Sequence, residues 1–334
     1  MQAWNIQVTE PPNFVYPMPK PSEKLKAVLT LGRISNLPTV WTNIFAGMML
    51  SMYGQGIPLF QLPIHDTATH PIDITQYLWM LVGASLVYVS GTTLNDAFDV
   101  TYDREHNPGR PIPSGIMKVW EVWALGFIEM AAGAHILFHF ANVQILYLIL
   151  LCGAILAYDA VHKKWGGSVW IMGSCRFFLW LAAASAVLGG HGLDTGISGT
   201  AEIPNLVYVW SLALLLYIAG ITYVARGEAT GKLPSFPWPF FLLFCPVFLG
   251  FFFCLHSGQW LVLPIVMALA WGIRAGVVHA KRKGPNIGKG VALWLALITV
   301  ADAMAVALVD PLLGYLLLLG FPLCLFTQKY FAAT

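Results

Sequence analysis

The sequence predicts an all-α membrane protein, a polytopic bundle of transmembrane helices. Hydrophobic residues make up 57% of the 334 residues and charged residues only 10%, whereas an ordinary soluble domain has about 25% charged residues. The mean hydropathy of +0.69 leaves too few polar side chains to cover a water-facing surface. Apolar stretches of roughly 20 residues, the length that crosses a bilayer core, recur along the whole chain.

Ten candidate spans have the length and apolar composition of a membrane-crossing helix. They lie at residues 26–52, 77–100, 117–140, 143–160, 167–189, 205–226, 234–256, 259–280, 287–308 and 311–328. The last two are separated only by Asp310 and Pro311, so they form either a tight hairpin or one broken element. The prediction is nine core helices, with a tenth at the C-terminus if the hairpin forms.

The distribution of Lys and Arg orients these spans. Segments 53–76, 190–204 and 257–258 contain neither residue, and short basic loops translocate poorly, so these segments are expected outside the cytoplasm. This orientation favours ten spans and puts both termini on the cytoplasmic side. We expect the membrane to be a bacterial plasma membrane. Residues 1–25 contain five prolines and are interpreted as a cytoplasmic tail that precedes a single domain at 26–334.

Charge and cysteine usage exclude other classes of protein. The 18 basic residues nearly balance the 16 acidic ones, and a nucleic-acid-binding protein would need a dense basic surface. All five cysteines lie in apolar stretches and none is in a C-x-x-C pair, which argues against a zinc site or a disulfide framework. The expected surroundings and partners are therefore membrane lipids.

A cluster of carboxylates follows the second span. Asn95, Asp96, Asp99 and Asp103 fall within an arc of about 100° on a helix, so they face the same way at the expected cytoplasmic end. Crowded anions need a cation, and Mg²⁺ held by carboxylates usually completes its shell with waters and substrate phosphate oxygens. We therefore predict a magnesium site for a phosphorylated ligand. The alternative is a solvated helix end paired with nearby arginines.

This cluster is followed by Arg110 in the segment R-P-I-P-S-G at 110–115. N-D-x-x-D-x-x-x-D with a downstream R-P resembles the UbiA-type intramembrane prenyltransferases, and the segment L-G-R-I-S-N-L-P-T-V-W-T-N at 31–43 is similar to their first helix. The resemblance covers residues 26–310. It implies nine helices around a central cavity that opens laterally to lipid.

The same resemblance implies a reaction and its residues. An isoprenoid chain would move from a prenyl diphosphate to an aromatic or other lipophilic acceptor, while Mg²⁺ joins the diphosphate to catalytic, metal-binding carboxylates at Asp96, Asp99 and Asp103. The implied contacts with substrate include Asn95 and Arg110.

Further basic residues resemble the family's diphosphate-binding groups. Tyr158 followed by Lys163 and Lys164 at the end of the fourth span is similar to a tyrosine and lysine that contact diphosphate; the alternative is that these lysines only anchor the helix at the membrane surface. Arg176 lies within the fifth span and needs a partner or a wet cavity there. Its predicted partner is Glu129 in the third span, Asp302 in the ninth span or the substrate.

The family's second aspartate motif is degenerate in this chain. The stretch after the sixth span keeps a glycine and Lys232, but its acids are reduced to Glu228, and Arg226 stands where the family has an anion. Two interpretations remain open. Arg226 and Lys232 bind diphosphate directly, or the chain is a non-transferase member of this fold that binds or translocates an isoprenoid-like molecule. An unrelated transporter is a third alternative, although transporter-type inverted repeats are not evident.

The orientation can be tested by cysteine labelling. Cysteine introduced at Asp73 or Asp194 should react with a membrane-impermeant maleimide in intact cells, because both positions lie in segments free of Lys and Arg. Cysteine introduced at Arg104 should react only after the cells are permeabilised. The reverse pattern would show that the chain is inserted the other way round.

Overall fold

The computed structural model describes residues 20–56, 74–188, 202–228, 231–233, 237–282 and 286–330. The predicted tail up to residue 19 lies outside these ranges. So do residues 57–73 and 189–201, which form most of two segments predicted to be extracytoplasmic. Within the described ranges the regular structure is helical throughout, with no strand. This confirms the predicted all-α class.

Fifteen α-helices lie in the described ranges. In chain order they are α1 Pro21–Leu31, α2 Leu37–Gly54, α3 Ile74–Phe98, α4 Val100–His106, α5 Val119–His139, α6 Ile145–Val161, α7 Ser168–Val187, α8 Asn205–Ala225, α9 Trp238–Leu243, α10 Cys245–Ser257, α11 Leu263–Lys281, α12 Asn286–Ala296, α13 Ile298–Ala307, α14 Pro311–Leu317 and α15 Gly320–Tyr330. Short 3-10 turns at Ile34–Asn36 and Trp260–Val262 precede α2 and α11.

Seven of the described segments are long and apolar enough to cross a membrane. They are α3, α5, α7, α8, α11 with its preceding turn, α12–α13 and α14–α15, and the shorter apolar helices α6 and α10 accompany them. The membrane bundle is thus confirmed, while the count of nine or ten spans stays a prediction. The first predicted span is interrupted, because α1 and α2 are separated by a break that contains Arg33.

The C-terminal pair of predicted spans forms a hairpin. Asp310 caps the start of α14, where its carboxylate accepts a hydrogen bond from the backbone N–H of Leu313 at 3.0 Å. Gly314 then packs directly against Ala307 of α13. Because α14 turns back along α13, the structure selects the hairpin from the two alternatives.

Helix α7 lies at the centre of the bundle and joins two apolar cores. Trp180 and Leu181 belong to a core built with α8 and α10–α13. Leu179 and Ala182 belong to a second core built with α2, α3, α5 and α6. Small side chains on α7 allow neighbouring helices to approach it closely, and Gly47 of α2 packs against the α7 backbone.

The two ends of the bundle differ. At one end, Gln55 after α2 donates a hydrogen bond to the carbonyl of Glu202 before α8, at 2.7 Å. The start of α2 and the end of α3 lie at the opposite end, where the predicted carboxylate cluster is. The two segments predicted to be extracytoplasmic therefore begin or end on the side of the bundle away from the cluster.

Helices α3 and α5 approach closely at glycines. A Cβ atom at Gly133 would lie 2.7 Å from the carbonyl oxygen of Gly83 and 2.9 Å from the backbone nitrogen of Val87. These neighbours are backbone atoms of α3, which cannot move aside as a flexible side chain would. Glycine at position 133 is thus required for the α3–α5 contact.

The substitution Gly133→Val should destabilise the bundle by about 1–3 kcal/mol, the usual cost of overpacking a close contact. The matched control is Gly153→Val on α6, where an added Cβ meets no atom within 4 Å. Both variants place the same β-branched residue in a helix, so their difference isolates the packing. Thermal unfolding in detergent, followed by circular dichroism, should show a lower Tm for Gly133→Val alone; equal values would contradict the packing.

Candidate active site

The carboxylate cluster lies where α3 passes into α4. The helical hydrogen-bond pattern continues through this junction, since the backbone N–H of Asp99 donates to the carbonyl of Asn95 (3.0 Å) and that of Asp103 to the carbonyl of Asp99 (2.9 Å). The residues Asp96, Asp99 and Asp103 are only 7%, 5% and 1% exposed. The predicted carboxylates are therefore buried on consecutive turns of nearly continuous helix.

Arg110 joins two of these carboxylates. Its Nη1 lies 3.1 Å from Asp96 Oδ1 and 2.7 Å from Asp103 Oδ2. The other oxygen of Asp103 accepts a hydrogen bond from Asn107 Nδ2 at 2.8 Å. Both oxygens of Asp103 are thus occupied within the protein, and Arg110 fixes the loop after α4 onto the cluster.

Arg33 approaches the cluster from the break between α1 and α2. Its Nη2 lies 3.3 Å from Asn95 Oδ1 and 3.4 Å from Asp96 Oδ1. The backbone of Arg33 has φ 41°, in the left-handed region that a residue with a side chain rarely adopts. Backbone strain of this kind persists where the surrounding structure enforces it, and here the strained residue holds a guanidinium against a buried carboxylate.

The end of α6 supplies the partners of the third carboxylate. His162 Nε2 and Lys163 Nζ lie 3.2 Å and 3.3 Å from the same Asp99 oxygen. Lys163 Nζ also lies 4.0 Å from the centroid of the Tyr102 ring, and Tyr158 stacks on His162. Of the two predicted lysines, the structure thus brings Lys163 to the cluster.

The neighbouring lysine and a second acid of α6 have different environments. The side chain of Lys164 is exposed. Asp159 is buried, with Oδ1 accepting a hydrogen bond from Asn95 Nδ2 at 3.0 Å. Its Oδ2 has no hydrogen-bond partner among the described residues. Asn95 therefore connects the carboxylate of Asp159 to the guanidinium of Arg33.

Arg176 lies deeper in the bundle, away from direct contact with the cluster. Its Nη1 donates to Asn43 Oδ1 and its Nη2 to Thr39 Oγ1, both at 2.9 Å. Asn43 in turn donates to the buried carboxylate of Asp302 at 2.7 Å. Of the two acids predicted as partners, Asp302 is thus linked to Arg176 through an amide. The Arg176 guanidinium carbon is 5.5 Å from the Tyr88 ring centroid, and Tyr88 also lies near Arg33.

Arg226 of the degenerate second motif holds the loop between α6 and α7. It donates hydrogen bonds to the carbonyls of Gly166 (2.5 Å) and Trp165 (3.2 Å) and to Ser168 Oγ (2.6 Å). This loop begins at His162 and Lys163, which contact Asp99. In the described structure, Arg226 acts on the cluster through this loop and makes no ion pair with a cluster carboxylate.

The other residues of that motif separate into buried and exposed groups. Glu228 Oε1 is buried without a hydrogen-bond partner among the described residues. Burial raises the pKa of Glu228, and the positive charge of Arg33 only partly opposes that shift. Lys232 is exposed. The two residues at 229–230 lie outside the described ranges.

The donor set fits a hard divalent cation through two of the predicted ligands. Within the described ranges, no group of three or more His, Cys, Asp or Glu side chains converges to hold a metal ion. Mg²⁺ often needs only one or two carboxylates when phosphate oxygens and waters complete its shell. The contacts with Asp96 and with Asp99 each fall on one oxygen, whereas both oxygens of Asp103 are engaged.

Three groups at this site were not predicted as site residues. Arg33, His162 and Asp159 all stand in sequence segments that carry the family resemblance. The sequence offered only their positions as a signal. Asp159 and His162 are polar residues next to the predicted site residues Tyr158 and Lys163, and Arg33 lies in the first-helix segment at 31–43. Their roles depend on contacts between residues more than 60 positions apart, which one sequence does not reveal.

Fold and site together define an integral membrane bundle with a buried carboxylate-and-cation site at one end. A model of the UbiA prenyltransferase family matches residues 67–289, more than half of the chain, so the chain belongs to this family. The digeranylgeranylglyceryl phosphate synthase of Sulfurisphaera tokodaii is 24% identical over 207 residues, which are 62% of this chain and 66% of that protein. The chain covers 34% to 67% of the length of such archaeal relatives.

Solved structures show the same fold. The apo structure of a UbiA homologue from Aeropyrum pernix K1 matches with a TM-score of 0.57 at 15% identity, over 81% of this chain and 96% of that one. A UbiA homologue from Archaeoglobus fulgidus, bound to DMAPP and Mg²⁺, matches with a TM-score of 0.50 at 16% identity, over 86% and 98% of the two chains. These neighbours confirm the predicted UbiA-type bundle.

The contacts of Arg226 predict an indirect effect on ligand binding. Ser168→Ala removes one of the hydrogen bonds of Arg226 at the α6–α7 loop, so it should weaken prenyl diphosphate binding in the same direction as Arg226→Ala but less. Each hydrogen bond lost from the charged guanidinium costs about 1.5–3 kcal/mol of stability at this loop. Isothermal titration with a non-hydrolysable prenyl diphosphate measures both variants. A loss confined to Arg226→Ala would instead indicate direct contact between Arg226 and diphosphate.

Proposed function

We propose that this chain is an Mg²⁺-dependent prenyltransferase, which moves an isoprenoid chain from a prenyl diphosphate to a lipophilic acceptor within the membrane. The observation that carries this proposal is the paired arrangement of Asp96, Asp99 and Asp103 with Arg33, Arg110 and Lys163 at the end of an apolar bundle. A charged head group and an apolar tail need such a boundary between a polar site and a hydrocarbon-like interior.

Charge balance supports the need for a divalent cation. The three carboxylates are matched by the side chains of Arg33, Arg110 and Lys163, so a bound diphosphate would leave several negative charges uncompensated in a poorly solvated site. Asp96 and Asp99 would hold Mg²⁺, with Asp103 keeping Arg110 in place. When bound, the ion would neutralise diphosphate oxygens and make diphosphate a better leaving group.

The chain's own residues position the donor. Arg33, Arg110 and Lys163 supply donors for diphosphate oxygens, and arginine can contact two of them at once. Asn95 and Tyr158 line the same region. Lys164 and Lys232 are exposed and would attract the anionic donor electrostatically.

Aromatic rings beyond the charged groups suit the isoprenoid end of the donor. When the bond from the first isoprenoid carbon to the diphosphate oxygen breaks, positive charge develops on the allylic carbons. The π faces of Tyr88 and Tyr158 could stabilise that charge. The acceptor then forms a bond to the same carbon and releases a proton. Arg176, over the Tyr88 ring, is proposed to contact a polar group of the substrates at this depth.

The acceptor is proposed to be aromatic or another lipophilic molecule. Relatives named digeranylgeranylglyceryl phosphate synthase make a prenylated glyceryl phosphate the first acceptor to test. We further propose that the site faces the cytoplasm, because the basic residues around it belong on that side. A bacterial source stays a prediction, and the relatives named above are archaeal.

A second candidate function is binding or translocation of an isoprenoid-like molecule without transfer. Arg226 favours it, since an arginine bonded to loop carbonyls replaces an acid of the second motif. The two functions differ in one observable. A transferase releases diphosphate in the presence of an acceptor, whereas a binding protein retains the intact donor.

The decisive experiment measures Mg²⁺-dependent release of diphosphate by protein reconstituted in liposomes with geranylgeranyl diphosphate and a prenylated glyceryl phosphate or an aromatic acceptor. Asp96→Asn and Asp99→Asn should each lower the rate by about 100-fold or more, because losing a metal ligand removes several kcal/mol of transition-state stabilisation. Titration calorimetry should show that both variants also lose the Mg²⁺-dependent part of donor binding.

The control is Glu105→Gln, which removes an exposed carboxylate from the same segment. Its rate and donor affinity should match those of wild type. Donor binding without diphosphate release in the wild-type protein would support the binding function. Undiminished Mg²⁺-dependent binding in both aspartate variants would overturn the proposed metal site.

A further inference from the structure

A groove lies on the outer side of the bundle, apart from the carboxylate site. It is an apolar groove of about 460 Å³ between the segment that begins α9 and one face of α11. Phe240 and Phe244 form one wall, and Met267 and Trp271 form part of the other. Met267 and Trp271 are 62% and 69% exposed, so the groove opens away from the protein core towards the lipid.

Two cations line this otherwise apolar groove. Arg274 and Lys281 lie on the same stripe of α11 as Met267 and Trp271. Arg274 stacks over Trp271, with its guanidinium carbon 5.1 Å from the ring centroid. Among the described residues neither cation forms an ion pair with a carboxylate, and neither contacts the carboxylate cluster. The groove is therefore amphipathic, with one unpaired positive charge at one end, on Lys281, and a second near the middle of its length, on Arg274.

The charged end of the groove lies on the same side of the bundle as the carboxylate cluster. Lys281 ends α11, and the following helix α12 carries Gly288 close to the Glu228 side chain. Glu228 follows Arg226, which holds the loop at the end of α6. From Lys281 to Met267 the groove extends about 21 Å along α11, and Arg274 lies about 10 Å inward of Lys281. One leaflet of the hydrocarbon core is about 15 Å thick.

We propose that this groove binds a phospholipid with an anionic head group, taken from the leaflet on the side of the carboxylate cluster. The acyl chain would lie on Phe240, Phe244 and Met267, while Arg274 and Lys281 bind the phosphate group. Basic pockets at this depth between transmembrane helices suit anionic head groups. A planar guanidinium can contact two phosphate oxygens at once. The groove, about 21 Å long, spans the hydrocarbon of one leaflet, about 15 Å thick, and extends into the head-group region.

Native mass spectrometry of the detergent-solubilised full chain tests this site with two lipids of identical acyl chains, phosphatidylglycerol and phosphatidylcholine. Wild type should bind phosphatidylglycerol more tightly. The double variant Arg274→Ala/Lys281→Ala should weaken phosphatidylglycerol binding by about 25-fold, from about fivefold for each basic residue near the membrane surface. Its binding of phosphatidylcholine, whose phosphate charge is offset by the choline group, should weaken much less.

The matched control is Arg282→Ala/Lys289→Ala, which removes one arginine and one lysine from exposed positions outside the groove. It should bind phosphatidylglycerol as wild type does. Ala270→Trp keeps both charges but fills the groove, and it should weaken binding of both lipids. Lipid binding needs no transferase activity, so this result is independent of the proposed function.

Three outcomes would overturn the proposal. If both double variants lost phosphatidylglycerol affinity equally, the lipid would only be attracted to the positive charge of the protein in general. Displacement of phosphatidylglycerol by millimolar inorganic phosphate would show a site for free phosphate. A lipid-independent dimer that Ala270→Trp dissociates would show that a second copy of the chain covers the groove.

Discussion

The carboxylates at the end of α3 can be buried only because cations from distant parts of the chain reach them. An ionised carboxylate without a partner is very unfavourable in a poorly solvated site. Asp96 pairs with Arg33, which lies in the break before α2, and with Arg110, which lies in the loop after α4. Asp99 binds Lys163 at the end of α6. These pairs therefore bring four separate segments together at one end of the bundle, because each buried carboxylate requires a cation beside it.

The apolar helices alone do not specify this arrangement. Packing against α7 aligns the two cores, and close glycine contacts such as Gly133 on Gly83 set the distance between α3 and α5. A hydrophobic driving force between helices is weak in lipid, so close packing and polar contacts decide which helices meet. The Asn43–Asp302 hydrogen bond links α2 to α13 in the same way. Polar contacts thus locate the site and also hold the helices around it.

Length and hydropathy were sufficient to predict a bundle of membrane helices, because a bilayer of fixed thickness demands about 20 apolar residues from each span. They did not predict breaks such as the one at Arg33, between α1 and α2. Helical periodicity likewise predicted that Asp96, Asp99 and Asp103 face one way. The partners could not be predicted, since pairing depends on which helices become neighbours. Arg226 shows the limit most clearly: its position in a degenerate acidic motif suggested diphosphate binding, while its hydrogen bonds go to a loop about 60 positions earlier.

The same residue changes the electrostatics of the second motif. An acid at position 226 would add a carboxylate near the loop that holds His162 and Lys163, and a further cation would be needed to balance it. With Arg226 there, the loop carbonyls are satisfied by the protein itself. Glu228, the remaining acid, is half-buried, and this partial burial raises its pKa. One remaining acid offers fewer ligands for a second cation, so we propose that the charge of a bound diphosphate is balanced mainly by a cation held at Asp96 and Asp99 and by Arg33, Arg110 and Lys163.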